Sequence, residues 1–210
     1  MIELISDWRA RLAKEMRRKA IHLSGLSVPA CLILLDRTAT TAAIALALAG
    51  ALILEWQRLK GRVSLPETRE HEKTRVASYI YYIAGCLFAV LFFPPSIAIT
   101  AVLFLSLGDT ASGLAGSIIK HADVRGETGR KGRRRVKPLP VVTVTFVACL
   151  LIASLASALS GLAATVTLAG AAAATLADGV ALIVGGRSLD DNFTIPVLSG
   201  AVMSGVALIL

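Results

Sequence analysis

Apolar residues gather in seven runs along this chain, at about residues 21–36, 38–56, 76–93, 96–119, 139–159, 162–184 and 194–210. Each approaches the roughly 20 residues a helix needs to cross a hydrocarbon core about 30 Å thick. The pattern predicts an all-α integral membrane protein, a bundle of about seven transmembrane helices in which the first and last runs are the shortest. Ahead of them, Ile5, Trp8, Leu12 and Met16 recur at helical spacing while Arg9, Arg11, Lys14 and Arg18 fall on other sides. Residues 1–20 therefore read as an amphipathic helix lying in the headgroup region. Pro94-Pro95 marks a tight turn between the third and fourth runs. No internal repeat divides the chain, and residues 1–210 read as a single polytopic domain.

Composition agrees with the pattern. A mean hydropathy of +0.72 with only 17% charged residues is too apolar for a soluble domain. The opening "MIELISDWRARLAKEMRRKAIH" is charged throughout, so the first run is expected to be retained rather than cleaved. Cys31, Cys86 and Cys149 stand singly in apolar runs, without the spacing of a disulfide framework or a zinc site, and read as packing residues.

Charge adds an orientation. The net charge of +8 comes from the amino-terminal segment, the connection around 58–75 and a basic loop at 120–138, whereas the connections near 36, 94 and 160 are short and carry at most one basic residue. The positive-inside rule then places the N-terminus and every long loop in the cytoplasm. Basic residues sorted by loop, rather than spread over one soluble face with aromatics, argue against nucleic acid as a partner.

The candidate chemistry lies in carboxylates inside apolar runs, each costing on the order of 2.5–3.5 kcal/mol at the bilayer centre unless it faces protein, water or a cation. Asp109 lies in "LFLSLGDTASGLAG" and Asp178 in "TLADGVAL"; Asp190, Asp191 and Asn192 open the last run in "SLDDNFTIP". All fall toward one side of the membrane, as a site for Mg²⁺ shared with substrate phosphates requires. Asp109, Ser112, Gly113 and Gly116 share a helix face with little side-chain bulk. Gly108, Gly113 and Gly116 also suit a plain packing seam, although a seam needs no aspartate.

Arg18, Lys19 and His22 offer cations and an imidazole on one helical face at the membrane surface, or simply an anchor. Arg69, Glu72 and Arg75 read as a salt-bridge ladder, and Tyr79, Tyr81 and Tyr82 as an interfacial aromatic belt. The loop "RGETGRKGRRRVKP" suits anionic lipid or nucleotide phosphates equally.

These pieces together resemble a known family, the CTP-dependent lipid-alcohol kinases (dolichol kinase, yeast-type diacylglycerol kinase and phytol kinase), which are distantly similar to phosphatidate cytidylyltransferases. The resemblance rests on "RKAIH" at 18–22, the Arg69-x-x-Glu72-x-x-Arg75 segment before "YIYY", "GDTASGLAG" at 108–116 and "DDNFTIPVLSG" at 190–200, in that order. It implies transfer of the CTP γ-phosphate to a membrane lipid hydroxyl at the cytoplasmic face, with Mg²⁺. Carried over, Asp109, Asp191 and His22 would be catalytic, with Asp109 or Asp191 orienting or deprotonating the hydroxyl. Asp109, Asp178, Asp190 and Asp191 would hold the metal. Arg18, Lys19, Gly108, Thr110, Gly113, Lys131, Arg133, Lys137 and Asn192 would meet the nucleotide.

The family's Lys-Ser-Leu-Glu-Gly stretch after a basic loop is missing here, which leaves Glu127 or Asp178 to replace its glutamate. The acceptor stays open among polyprenols or dolichol, geranylgeraniol or phytol, and diacylglycerol-like lipids; a homo-oligomer is compatible with the reading. A cytidylyltransferase making a CDP-lipid is the alternative enzyme. A small ion-coupled transporter is the non-enzymatic one, disfavoured because the polar residues crowd one side of the membrane.

Overall fold

The computed structural model describes residues 8–65, 72, 74–119, 136–184 and 187–210. Among them the elements are α1 (Trp8–Leu23), α2 (Ser27–Leu34), α3 (Arg37–Leu59), α4 (Ser78–Phe92), α5 (Pro95–Leu103), α6 (Asp109–Ile118), α7 (Leu139–Ser160), α8 (Ala164–Gly179) and α9 (Asp191–Ala207), with a two-residue hairpin, Ile183–Val184 against Arg187–Ser188. The architecture is all-α, and each of the seven apolar runs carries helix. By length and composition, three helical stretches can cross a membrane: Arg37–Leu59, Pro95–Ile118 and Leu139–Ser160. The other helices in those runs are shorter, from 8 residues in α2 to 17 in α9.

The first apolar run is not one continuous helix. A 3-10 turn at Ser24–Leu26 separates α1 from α2. Pro29 lacks the N–H that would carry an α-helical ladder back across Gly25, and its ring crowds the preceding turn. Elsewhere local chemistry sets the ends as expected. Asp36 caps α3 by accepting from the Ala39 N–H at 2.7 Å, and Pro94-Pro95 starts α5 with proline at the first turn.

The Pro95–Ile118 stretch is the central one, with 61% of its most apolar window inside the protein against 17% for α3. Ala98, Ala101, Val102, Phe104 and Leu105 are inaccessible. Between α5 and α6, Phe104–Gly108 forms a π-helical turn, closed by the Asp109 N–H on the Phe104 carbonyl. Such turns widen a helix by one residue and occur often at functional sites; this one ends where Asp109 begins. α8 packs against both α7 and α9, and its buried Ala171, Ala174 and Ala177 permit the close approach. Gly85 brings α4 onto α9, since a Cβ there would lie 2.5 Å from the Asn192 carbonyl oxygen and 2.9 Å from the Pro196 ring. The outward faces of α3 and α7 carry exposed Leu46, Leu52, Ile53, Leu151, Leu155 and Leu159, a surface compatible with hydrocarbon.

A buried ionic cluster secures the start of α4. Glu55 accepts from Arg58 Nε at 2.8 Å and Nη2 at 2.6 Å, from the Ala77 N–H at 2.8 Å and from the Tyr79 hydroxyl at 2.7 Å, while Arg58 also donates to the Arg75 carbonyl at 2.7 Å. Glu72 accepts from the Ser78 N–H at 3.0 Å and hydroxyl at 2.6 Å. Of the expected ladder of Arg69, Glu72 and Arg75, Arg69 lies outside the described residues; Glu72 accepts from the start of α4, and the Arg75 carbonyl accepts from Arg58. The aromatic belt is also corrected. Tyr81 is exposed, but Tyr82 is buried and donates to the His22 carbonyl at 2.7 Å, its hydroxyl lying 2.6 Å from Ser106 Oγ.

Candidate functional site

Asp109, at the start of α6, Asp178, near the end of α8, and Asp191, at the start of α9, each bring one carboxylate oxygen within 4.8 Å of the others. Three helices, two of them successive in the chain, thus converge on one point. Asp109 and Asp178 are buried and Asp191 half-buried, and such carboxylates persist only with partners.

Two lysines supply them. Lys19 of α1 donates to Asp109 Oδ2 at 2.5 Å with its side chain 2% exposed. Lys137 donates to Asp178 Oδ1 at 2.6 Å and to Ser112 Oγ at 2.9 Å, and its ammonium lies 4.0 Å from Asp191. Burial works to lower the Lys137 pKa, but Asp178, Asp191 and Asp109 more than offset this and hold it above the ordinary lysine value, so the ammonium stays charged. The backbone fixes Lys137 at this point through its N–H on the Gly179 carbonyl at 2.8 Å and an antiparallel bridge between Val136 and Val180. Asp178 Oδ2 accepts further bonds from Ser112 at 2.6 Å and Thr145 at 3.2 Å.

On the α1 face that carries Arg18, Lys19 and His22, Lys19 and His22 turn inward while Arg18 is half-buried. His22 is buried, with Nδ1 3.3 Å from Asp109 Oδ2 but outside hydrogen-bond geometry, and its ring meets Tyr82 edge-on at 4.8 Å. Arg18 pairs with Glu15. Met16, on the apolar face expected of a helix in the headgroup region, is exposed, and the side of α1 that meets α6 is polar because it carries Lys19 to Asp109.

Gly113 makes that service possible. A Cβ there would lie 2.3 Å from Lys19 Cε and 2.6 Å from Glu15 Oε1, so the bare backbone of α6 is the channel along which Lys19 reaches Asp109. The low-bulk face expected to admit a phosphate is occupied by this side chain. At Gly108 a Cβ would meet Cys149 Sγ at 2.9 Å, a packing contact. Thr110 donates to the Ser106 carbonyl at 2.5 Å, satisfying an acceptor in the widened π-helical turn.

Asp190 is directed elsewhere than the three-carboxylate group. It caps α9, accepting from the Asn192 N–H at 3.0 Å and Nδ2 at 2.8 Å, and accepts from the Ser78 hydroxyl at 3.2 Å. Asn192 is buried with Oδ1 lacking a hydrogen-bond partner. Lys131, Arg133 and Glu127 lie outside the described residues.

Thr145, Glu15 and the Tyr82–Ser106 pair are the members that sequence reasoning missed. Thr145 carries a weak signal, one polar residue in the apolar run of α7; Tyr82 carries none, since a buried and an interfacial tyrosine look alike in sequence.

The donor set is oxygen only, the ligand type hard divalent cations take, and its oxygens accept from Lys19, Lys137, Ser112 and Thr145. The chain matches no protein-family model, no curated protein and no solved structure.

Proposed function

We propose that this protein is a CTP-dependent kinase of a membrane lipid alcohol. The observation that carries the reading is the convergence of Asp109, Asp178 and Asp191 beside Lys19 and Lys137, all at helix ends or near them. Phosphoryl transfer asks chiefly for positioning and charge neutralisation, which acidic and cationic groups held by separate helices supply. The resemblance of the "GDTASGLAG" and "DDNFTIPVLSG" segments to lipid-alcohol kinases selects the reaction and CTP. In this reading the seven helical runs form the membrane bundle, and the basic segments put the N-terminus and the site on the cytoplasmic side.

In the reaction the lipid hydroxyl oxygen bonds to the γ-phosphorus, and the bond from that phosphorus to the β,γ-bridging oxygen breaks. CDP leaves with the electron pair. Asp191, the most accessible of the three carboxylates, takes the hydroxyl proton. Lys19 and Lys137 pair with carboxylates before the nucleotide arrives and provide the chain's own cations for its phosphate oxygens. Mg²⁺ held by Asp109, Asp178 and Asp191 would neutralise phosphate charge.

Two results are expected. With CTP labelled in the γ-phosphate, the label is expected on the lipid; with CTP labelled in cytidine, it is expected in released CDP. Cytidine on the lipid with pyrophosphate released would instead make the protein a cytidylyltransferase, and neither label on lipid would end the reading. In Gly113→Ala, the new methyl displaces the flexible end of Lys19 from its buried pairing with Asp109, so turnover is expected to fall about tenfold to a hundredfold and the unfolding temperature to drop with it. Unchanged turnover would show that Lys19 does not need this path.

A further inference from the structure

A cavity of about 640 Å³ lies between α1, α2, α3 and α4, beside the acidic cluster rather than within it. Its lining changes in character along its length. Following the chain through α1 and α2, the wall passes from Arg18 and His22 to Val28 and Cys31; following α4, it passes from Ser78 to Cys86. α3 runs the other way and contributes Leu54 near the polar end and Ile44 farther along. The chamber carries its charged groups, Arg18, His22 and Glu72, toward one end and is mostly apolar beyond, with Ser27 and Thr40 as polar exceptions.

Two further observations define what such a chamber takes. Ala43, Ala47 and Leu54 line it and are also exposed, so it opens along the flank of α3. That helix is one of those long enough to cross a membrane, and its outer surface carries exposed Leu46 and Ile53. The opening along α3 therefore faces the apolar surround. At the polar end, His22 belongs to both places, lining the cavity with Nδ1 3.3 Å from Asp109.

We propose that this cavity seats the hydrocarbon chain of the acceptor alcohol, which enters sideways past α3 and presents its hydroxyl at the His22 end, toward the carboxylates. The proposal deepens the kinase reading and rests on it for the identity of the head group. Burial of a long chain against apolar walls provides the affinity, and the single polar end sets the direction of insertion. A water-soluble acceptor would gain little from walls that are mostly apolar.

The test uses the full chain in lipid nanodiscs and a long-chain primary alcohol bearing a diazirine near its tail end, without nucleotide. After irradiation, peptide mapping is expected to place the label around Val28–Cys31, Ile44 and Cys86. Ala47→Phe, which puts a ring into the chamber from its rim, is expected to cut labelling about tenfold. Ala49→Phe, exposed on the other side of α3, is expected to leave it unchanged.

Label spread over the outer faces of α3 and α7, or labelling indifferent to Ala47→Phe, would overturn the proposal. Because binding is read without CTP, the two readings separate. Localised labelling in a protein that transfers no phosphate would support the seat and sink the kinase reading; transfer without localised labelling would do the reverse.

Discussion

Asp109→Asn is expected to lower phosphate transfer to lipid on the order of 10²–10³-fold, the usual cost of removing one positioned charge from a transition-state site. The same substitution has a second consequence. Lys19 is 2% exposed and pairs with Asp109 at 2.5 Å, so the variant strands a buried ammonium. Breaking a buried pair from one side typically costs about 3–5 kcal/mol, and the melting temperature in detergent is expected to fall accordingly. Lost activity in the single variant therefore does not separate a mechanistic role from a structural one.

The double variant Asp109→Asn/Lys19→Met does. It removes both charges and keeps the volume of the Lys19 stem over Gly113, so stability is expected to return toward that of the parent. Transfer is expected to stay low, because the phosphate site has lost a carboxylate and a cation together. A double variant that regained turnover along with stability would reduce the pair to a structural ion pair. Wild-type turnover in Asp109→Asn itself would remove that carboxylate from the mechanism.

The second large effect is expected where no chemistry is assigned. Glu55 is 3% exposed and Arg58 8% exposed, and Glu55 accepts from Arg58, Ala77 and Tyr79. Glu55→Gln removes the guanidinium's hydrogen-bonded counter-charge and is expected to cost about 3–5 kcal/mol of stability. Thermal unfolding measures that loss directly. Turnover per folded molecule is expected to hold, because the cluster secures the segment entering α4 without touching the carboxylate group. A folded Glu55→Gln protein with reduced turnover would show that strain passes from the cluster to the start of α9, to which Ser78 is hydrogen-bonded through Asp190.

The positions of the helices were largely legible. Apolar runs, Asp36 as a cap, and Pro94-Pro95 as a turn are local features, and local chemistry decides them. Pro29 was also visible, yet its effect on the first run was not drawn from the apolar pattern, because hydropathy carries no information about backbone donors. Asp109 and Asp178 stood out for an equally local reason, since a carboxylate in an apolar run demands a partner wherever it sits.

The identity of the partners was not local. Lys19 and Asp109 are 90 positions apart and Ser112 and Asp178 are 66 apart, and no periodicity relates such pairs. Asp190 and Asp191 are neighbours in sequence, and only the turn into α9 sends one to cap the helix and the other to the cluster. Arg18 and His22 looked like surface cations because their helix was read alone.

By itself, the sequence determined an apolar, all-helical chain with acids where acids are costly, because hydrophobic transfer and helix capping act over a few residues. Tertiary structure alone decided which acids meet, which lysines neutralise them and that a glycine clears the way, since burial of charge is settled by groups that only the packing of distant helices brings within a few ångströms.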